Sequence, residues 1–208
     1  MGEQRANTWA QRHHAISPAE TQPSGIAGIE FPRGAISEIV GSPSSGRTTV
    51  SYSTLAQATA RGEACAVIDA TGAFDPIAAA AAGVRLYQIV WIRANANLQH
   101  ALQAADVLIH AGGFGLVVLD LCGIAERRFH RVPISYWYRC RRAVENTPTV
   151  LLVLEETAHV KSCASMSIEM EQEGIRWSGN LLDEIRYRAG VKKPVRMAPV
   201  DFSAQALG

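Results

Sequence analysis

The segment Gly41-Ser42-Pro43-Ser44-Ser45-Gly46-Arg47-Thr48 constrains this chain more than any other. It lies between a short β-type run, Ala35–Val40, and a helical stretch, Val50–Arg61, that Gly62 closes. Its two glycines allow the backbone to turn, so that successive N–H groups and the N-terminus of the next helix converge on an anion. Two glycines at this spacing, then a basic and a hydroxyl residue, form the pattern that wraps a triphosphate, with Thr48 offering its hydroxyl to Mg²⁺. A lysine is usual where this chain has Arg47. Arginine keeps the charge, but its forked head is larger and differently hydrated. The candidate nucleotide-binding residues are therefore Gly41, Ser42, Ser44, Ser45, Gly46, Arg47, Thr48 and Thr49. The same residues also suit a strand-to-helix turn that binds nothing.

The rest of the chain alternates in kind. Ala64–Asp69, Leu86–Ile92, Leu116–Leu121 and Thr149–Leu154 read as strands. Pro76–Ala82, Asn97–His110 and Ser135–Glu145 read as helices, the second with Leu98, Leu102, Ala105 and Ile109 on one face. Near-continuous apolar strands between helices predict an α/β fold, a mostly parallel sheet covered on both faces. Leu181–Arg188 and Pro194–Pro199 look like the strands of a C-terminal β-hairpin beyond it. Asp120, the one acid in LVVLDL, is suited to hold Mg²⁺ through water beside the loop.

At 208 residues the chain is one domain, read here as an N-terminal arm and linker over 1–24 and a core over 25–208. Trp9 in the arm can anchor it to its own body or to another subunit. The 20 basic and 19 acidic residues leave a formal charge of +1, which excludes a uniformly basic nucleic-acid coat. Cys65, Cys122, Cys140 and Cys163 form no C-x-x-C pair, and the histidines, His13-His14 included, show no metal-ligand spacing. No apolar run reaches the roughly 18 residues of a membrane helix, and the N-terminus lacks the apolar core of a signal peptide. A cytoplasmic protein without membrane contact is the expectation.

PRGAISEIVGSPSSGRTT (Pro32–Thr49) resembles the entry to the RecA-type recombinase core, and AVIDATGAFDP (Ala66–Pro76) resembles the D-A-E-x-x-x-D-P stretch after that family's next strand. LVVLDL resembles its Walker B strand, and TVLLVLEE (Thr149–Glu156) the strand ending in its γ-phosphate-sensing glutamine. The resemblance implies a RecA-like P-loop NTPase core binding ATP and Mg²⁺. Thr71 stands where the family's water-activating glutamate belongs, and Glu156 at the sensing glutamine. A threonine hydroxyl is a poor general base, and an ionised Glu156 repels a γ-phosphate. With Arg47, three catalytic positions differ, so no catalytic residue is assigned and poor ATP hydrolysis is expected. Small chains of this character resemble the ImuA-type proteins of damage-induced mutagenesis, which implies RecA or translesion polymerase components as partners; the resemblance to recombinases implies self-association through the arm.

Arg127, Arg128 and Arg131 follow the Asp120 strand and are the candidate DNA contacts, with single-stranded DNA as partner. Arg139, Arg141 and Arg142 form a second cluster behind Tyr136, Trp137 and Tyr138, aromatics that either stack on bases or pack on the sheet. The stretch after Glu156 carries Glu169, Glu171 and Glu173, unsuited to phosphates, and Met166, Ile168 and Met170, either an exposed edge for a protein partner or core. The expectation is an accessory in DNA repair, recombination or SOS-type translesion mutagenesis. The rivals are an active DNA-dependent ATPase, with Glu156 as base, and a nucleotide-free interaction module.

Overall fold

The computed structural model describes residues 21–194 and 198–205; the arm with Trp9 and the His13-His14 pair lies outside them. Strands β1 (Thr21–Pro23) and β2 (Glu30–Pro32) form a small antiparallel pair, so the end of the stretch read as linker is paired strand. The main sheet has eight strands: β3 (Ala35–Gly41), β4 (Cys65–Asp69), β5 (Ile89–Arg93), β6 (Leu116–Asp120), β7 (Val150–Glu155), β8 (Met166–Ser178), β9 (Leu181–Lys193) and β10 (Val200–Gln205). Their order is β10-β9-β8-β3-β7-β6-β4-β5, parallel from β8 to β5 and antiparallel from β8 to β10.

Helices α1 (Arg47–Ala60) and α2 (Pro76–Ala81) cover one face, and α3 (Leu98–Ala111) and α4 (Ile134–Val144) the other. Side chains alternate between the faces with the period of a strand. Ile68, Val117, Leu119, Leu151 and Val153 pack with α3 and α4, while Val67, Leu116, Val118, Leu152 and Leu154 pack with α1 and α2. Burial on both faces explains why these strands read as continuous apolar runs. Local sequence sets the helix starts: Asp75 caps α2, with Pro76 in its first turn, and the Asn97 side chain accepts from His100 N at the start of α3.

Two expectations need correction, and one open choice is resolved. Leu86–Gln88 is a 3-10 turn, and the strand begins at Ile89. The C-terminal hairpin is formed by the long strands β8 and β9 rather than by Leu181–Arg188 with Pro194–Pro199, and β10 adds to β9. Residues 195–197 lie outside the described residues. Met166, Ile168 and Met170 are core and not an exposed edge, because β8 is paired on both sides and their alternation faces α1.

Arg33, from the Pro32-Arg33-Gly34 corner, is buried against Glu63 at 2.8 Å, and it also donates to the Gln22 side chain and to the Pro148 carbonyl. Arg61 approaches the same Glu63 oxygen at 2.8 Å. There is no room for more: a Cβ on Gly115 would lie 1.8 Å from the other Glu63 oxygen. Removing one partner of such a pair strands a buried charge, at a cost of about 3–5 kcal/mol. Glu63→Ala is expected to lower the unfolding free energy by that amount in urea denaturation. A loss below about 1 kcal/mol, the value of an exposed pair, would contradict this role.

Candidate nucleotide site

The parallel register sets Val40 opposite Glu155, Asp120 opposite Leu154 and Asp69 opposite Asp120. The C-terminal ends of β3, β4, β6 and β7 thus lie at one level, and the loops that leave them share one edge. In open α/β sheets that edge is where ligands bind.

The Gly41–Thr48 loop crosses this edge. Ser44 (φ 64°) and Gly46 (φ 92°) take left-handed backbone conformations, and Ser45 N donates to the Ser42 carbonyl at 3.1 Å. Gly46 caps α1 without any side-chain hydrogen bond. Packing demands its lack of a side chain, since a Cβ there would sit 2.7 Å from the Tyr187 ring. Gly41 is equally constrained, with the Met170 carbonyl 2.6 Å from a Cβ position. Ser42 and Ser44 are exposed, Thr48 is exposed and Thr49 half-buried in the first turn of α1. Ser45 Oγ is buried with no partner among the described residues.

Arg47 is only 8% exposed, and its Nη1 donates to the main-chain carbonyl of Glu155 at 2.6 Å. It ties the loop to the end of β7. Asp120 is half-buried, and its Oδ1 accepts from Cys122 N at 3.0 Å. Burial raises the Asp120 carboxyl above the ordinary carboxylate range, while the Cys122 hydrogen bonds and the Arg47 charge pull it back.

Thr71 and Glu156 meet across the turn after β6. Thr71 Oγ1 donates to the Cys122 carbonyl at 3.0 Å, and Glu156 Oε1 accepts from Gly123 N at 3.1 Å. Both side chains grip the same Cys122-Gly123 stretch of backbone, one from the end of β4 and one from the end of β7.

Sequence reasoning passed over two acids here. The buried Asp69 carboxylate accepts from the backbone N–H groups of Gly72, Ala73 and Phe74 at 2.6, 2.9 and 3.1 Å, and from the Trp91 indole at 3.3 Å. It shapes the loop that carries Thr71. Its signal was an acid ending an apolar strand just before a glycine. The other is Glu155, fully buried, whose Oε2 accepts from His159 N at 3.1 Å and contacts His159 Nδ1 at 2.5 Å. His159 Nε2 lies 3.0 Å from Glu126, and its ring stacks on Phe129 at 3.9 Å. Beneath them Glu38, also buried, accepts from His159 N, Val160 N and Ser167 Oγ. Only the strand-end position of Glu155 is visible in the sequence; its histidine partner is not.

Arg127, Arg128 and Arg131 occupy an exposed 3-10 turn, Glu126–Arg131, that the buried Phe129 pins to the body. Arg128 donates to the Ala96 carbonyl. Among the described residues none of the three makes an ion pair. Tyr136 and Trp137 belong to the core, and of this aromatic group only Tyr138 is exposed. On β8, Glu169 pairs with Lys192 and Glu173 with Arg188, which offsets part of the acidic charge there.

Comparison with known proteins agrees with this fold. Residues 8–126, more than half of the chain, match the family model described as the RecA N-terminal domain, and the chain belongs to that family. It is 40% identical over 107 residues to "Protein RecA" of Lactobacillus delbrueckii subsp. bulgaricus, covering 48% of this chain and 32% of that protein. To "Protein RecA" of Ectopseudomonas oleovorans and of Rickettsia massiliae it is 41% identical over 96 residues, covering 46% of this chain and 27% of each relative. The chain thus spans about a third or less of the length of these relatives.

Glu155 supplies a test of the buried acid–histidine arrangement. Burial, with the nearby Glu38, raises its carboxyl from 4.5 to about 7, although His159 pulls the other way. Burial opposes protonation of His159, but its hydrogen bonds to Glu155 and Glu126 outweigh that and its pKa also rises. Both groups bind protons more tightly in the folded state. Their contribution to stability is therefore full at low pH and is lost as pH rises through about 7. Urea denaturation between pH 5 and 8 should show the stability of the parent chain falling relative to Glu155→Gln as pH rises. A difference that stays flat, or grows, would contradict the arrangement.

Proposed function

We propose that this member of the RecA N-terminal domain family is an accessory protein of DNA repair or recombination, of the ImuA type that serves SOS-type translesion mutagenesis. It binds Mg-ATP at the Gly41–Thr48 loop and hydrolyses it poorly. The observation that carries this reading is that Arg47, Thr71 and Glu156 are all engaged with the chain's own backbone, at Glu155 O, Cys122 O and Gly123 N. A general base must reach a water in line with the γ-phosphate. A hydroxyl whose proton is committed to a carbonyl, and a carboxylate occupied by an amide, are poorly placed for that work. This weighs against the rival in which Glu156 is the base of an active ATPase.

The residues present suit the nucleotide itself. The loop offers the N-terminus of α1, which has no side-chain cap, the Ser45 hydroxyl, without a partner among the described residues, and the exposed Thr48 hydroxyl, with Asp120 across the edge. Ser42, Ser44, Ser45 and the amides between Gly41 and Thr49 would hold phosphate oxygens, and Thr48 and Asp120 the Mg²⁺. Bound, Mg-ATP brings a concentrated negative charge to the start of α1. The arginine turn, with Arg127, Arg128 and Arg131, supplies the contact to single-stranded DNA, and the segment 1–24 mediates self-association. RecA or translesion polymerase components are the protein partners.

Mg-ATP at a hundredfold excess over Kd should stabilise the fold by about 2.7 kcal/mol, read as a rise of several degrees in the melting temperature. Phosphate release with single-stranded DNA present should not exceed that of Thr48→Ala. No thermal shift would favour the nucleotide-free interaction module, and robust turnover that Thr48→Ala abolishes would establish the active ATPase instead.

A further inference from the structure

Between the first turns of α3 and α4 the protein leaves a cleft of about 640 Å³ on the face opposite α1. Three side-chain ties fix the spacing of its walls. The Tyr136 hydroxyl of α4 donates to the Leu102 carbonyl of α3 at 2.9 Å. Arg139 Nε donates to Asp106 at 3.0 Å, and Arg128 Nη1 donates to the Ala96 carbonyl just before α3. Each of these arginines is anchored through one nitrogen and keeps the rest of its fork for another acceptor. Arg131 lines the same cleft, exposed at the end of the 3-10 turn. Asp106 is the one acid among the described lining residues, and Arg139 already holds it.

The lining is not uniformly basic. Leu98 and Leu102 from α3, with Val132 and Pro133 ahead of α4, give it an apolar side. Gln99 and Gln103, both exposed, stand one turn apart along α3. Four helical residues rise about 6 Å, close to the span of two residues in an extended chain, about 6.6 Å. A side-chain amide both donates and accepts, so a peptide backbone laid along α3 can satisfy a glutamine at every second residue. A phosphodiester offers acceptors only. Nor does the cleft present a stacking platform for bases, because Tyr136, the one aromatic among the described lining residues, is buried. Carboxylates on such a peptide meet the open forks of Arg131 and Arg139, whose paired N–H groups match two oxygens.

We propose that this cleft docks an acidic peptide segment of a protein partner, extended along α3 and carrying a bulky aliphatic side chain. Its carboxylates lie on Arg131 and Arg139, and its aliphatic group lies against Leu98, Leu102 and Val132. The occupant follows from charge complementarity joined to an apolar wall and a row of amides at the repeat of a peptide backbone. The inference is independent of the nucleotide at the Gly41–Thr48 loop. It shares Arg128 and Arg131 with the proposed DNA contact, so the acidic segment and a single strand exclude one another there.

Fluorescence anisotropy with the full chain tests it, using a short labelled peptide of glutamates around two leucines and, separately, a labelled oligothymidylate. The leucine-bearing peptide should bind about tenfold more tightly than an all-glutamate peptide of equal length. Arg131→Ala with Arg139→Ala should weaken that binding about tenfold. Gln103→Glu sets a like charge in the cleft, at an exposed position that does not endanger folding, and should weaken it similarly. Arg127→Glu, outside the cleft, should leave the peptide's affinity unchanged. If both peptides bind alike, or the cleft variants bind the leucine-bearing peptide like the parent chain, the proposal falls. If the oligonucleotide binds and the peptide does not, the cleft belongs to the strand; the proposal falls and the turn reading survives. If the peptide behaves as expected and the oligonucleotide does not bind, the cleft proposal stands and the turn reading falls.

Discussion

β7 lies between the strand that leads into the glycine loop and the strand that ends at Asp120, and all three run parallel in register. This single pairing decides what the upper edge of the sheet can do. It brings the loop after β3, the turn after β6 and the end of β7 within hydrogen-bonding reach of one another. Arg47 then finds the Glu155 carbonyl, and Glu156 finds the Gly123 amide. With a different neighbour for β3, neither contact would form, and Asp120 would not face the loop's helix across one strand.

On the proposed reading, this edge keeps a loop suited to phosphate while Arg47, Thr71 and Glu156 take on structural work. A net hydrogen bond contributes about 1 kcal/mol, so each tie at Arg47, Thr71 and Glu156 is modest alone. Thr71 and Glu156 close the turn after β6 against β4 and β7, and Arg47 fastens the glycine loop to β7. β7 also has a second line of contacts below the first: its last residue, Glu155, holds His159, which reaches Glu126 at the start of the arginine turn. The nucleotide-facing loop and the arginine turn are therefore both fastened to the end of one strand, one through a carbonyl and the other through a carboxylate.

Much of this was legible in the chain. The apolar runs CAVID, LVVLD and VLLVLE gave away a sheet buried on both faces, and the glycine loop marked its upper edge. What stayed hidden was non-local. Met166, Ile168 and Met170 alternate with polar residues, which says that one face is covered but not that β8 sits beside β3 with β9 on its other side. The length of the β8–β9 hairpin was missed because its strands are mixed in polarity towards the tip, where Ile175, Trp177 and Leu181 are exposed. Glu155 was overshadowed by its neighbour Glu156, and its partner His159 follows a turn whose direction no local pattern specifies. Asp69 was visible as a strand-end acid, but its work is done on amides whose placement depends on the turn at Gly72. Arg47 was recognised as a departure, and the carbonyl it would choose was not.

Because slow hydrolysis should leave the ligand whole, crystals grown with Mg-ATP itself give the most direct test. The account predicts an intact triphosphate along the Gly41–Thr48 amides, Mg²⁺ between Thr48 and Asp120, and Arg47 still on the Glu155 carbonyl. Electron density for a diphosphate, with Arg47 swung onto it and Thr71 and Glu156 released from the Cys122-Gly123 turn, would contradict it.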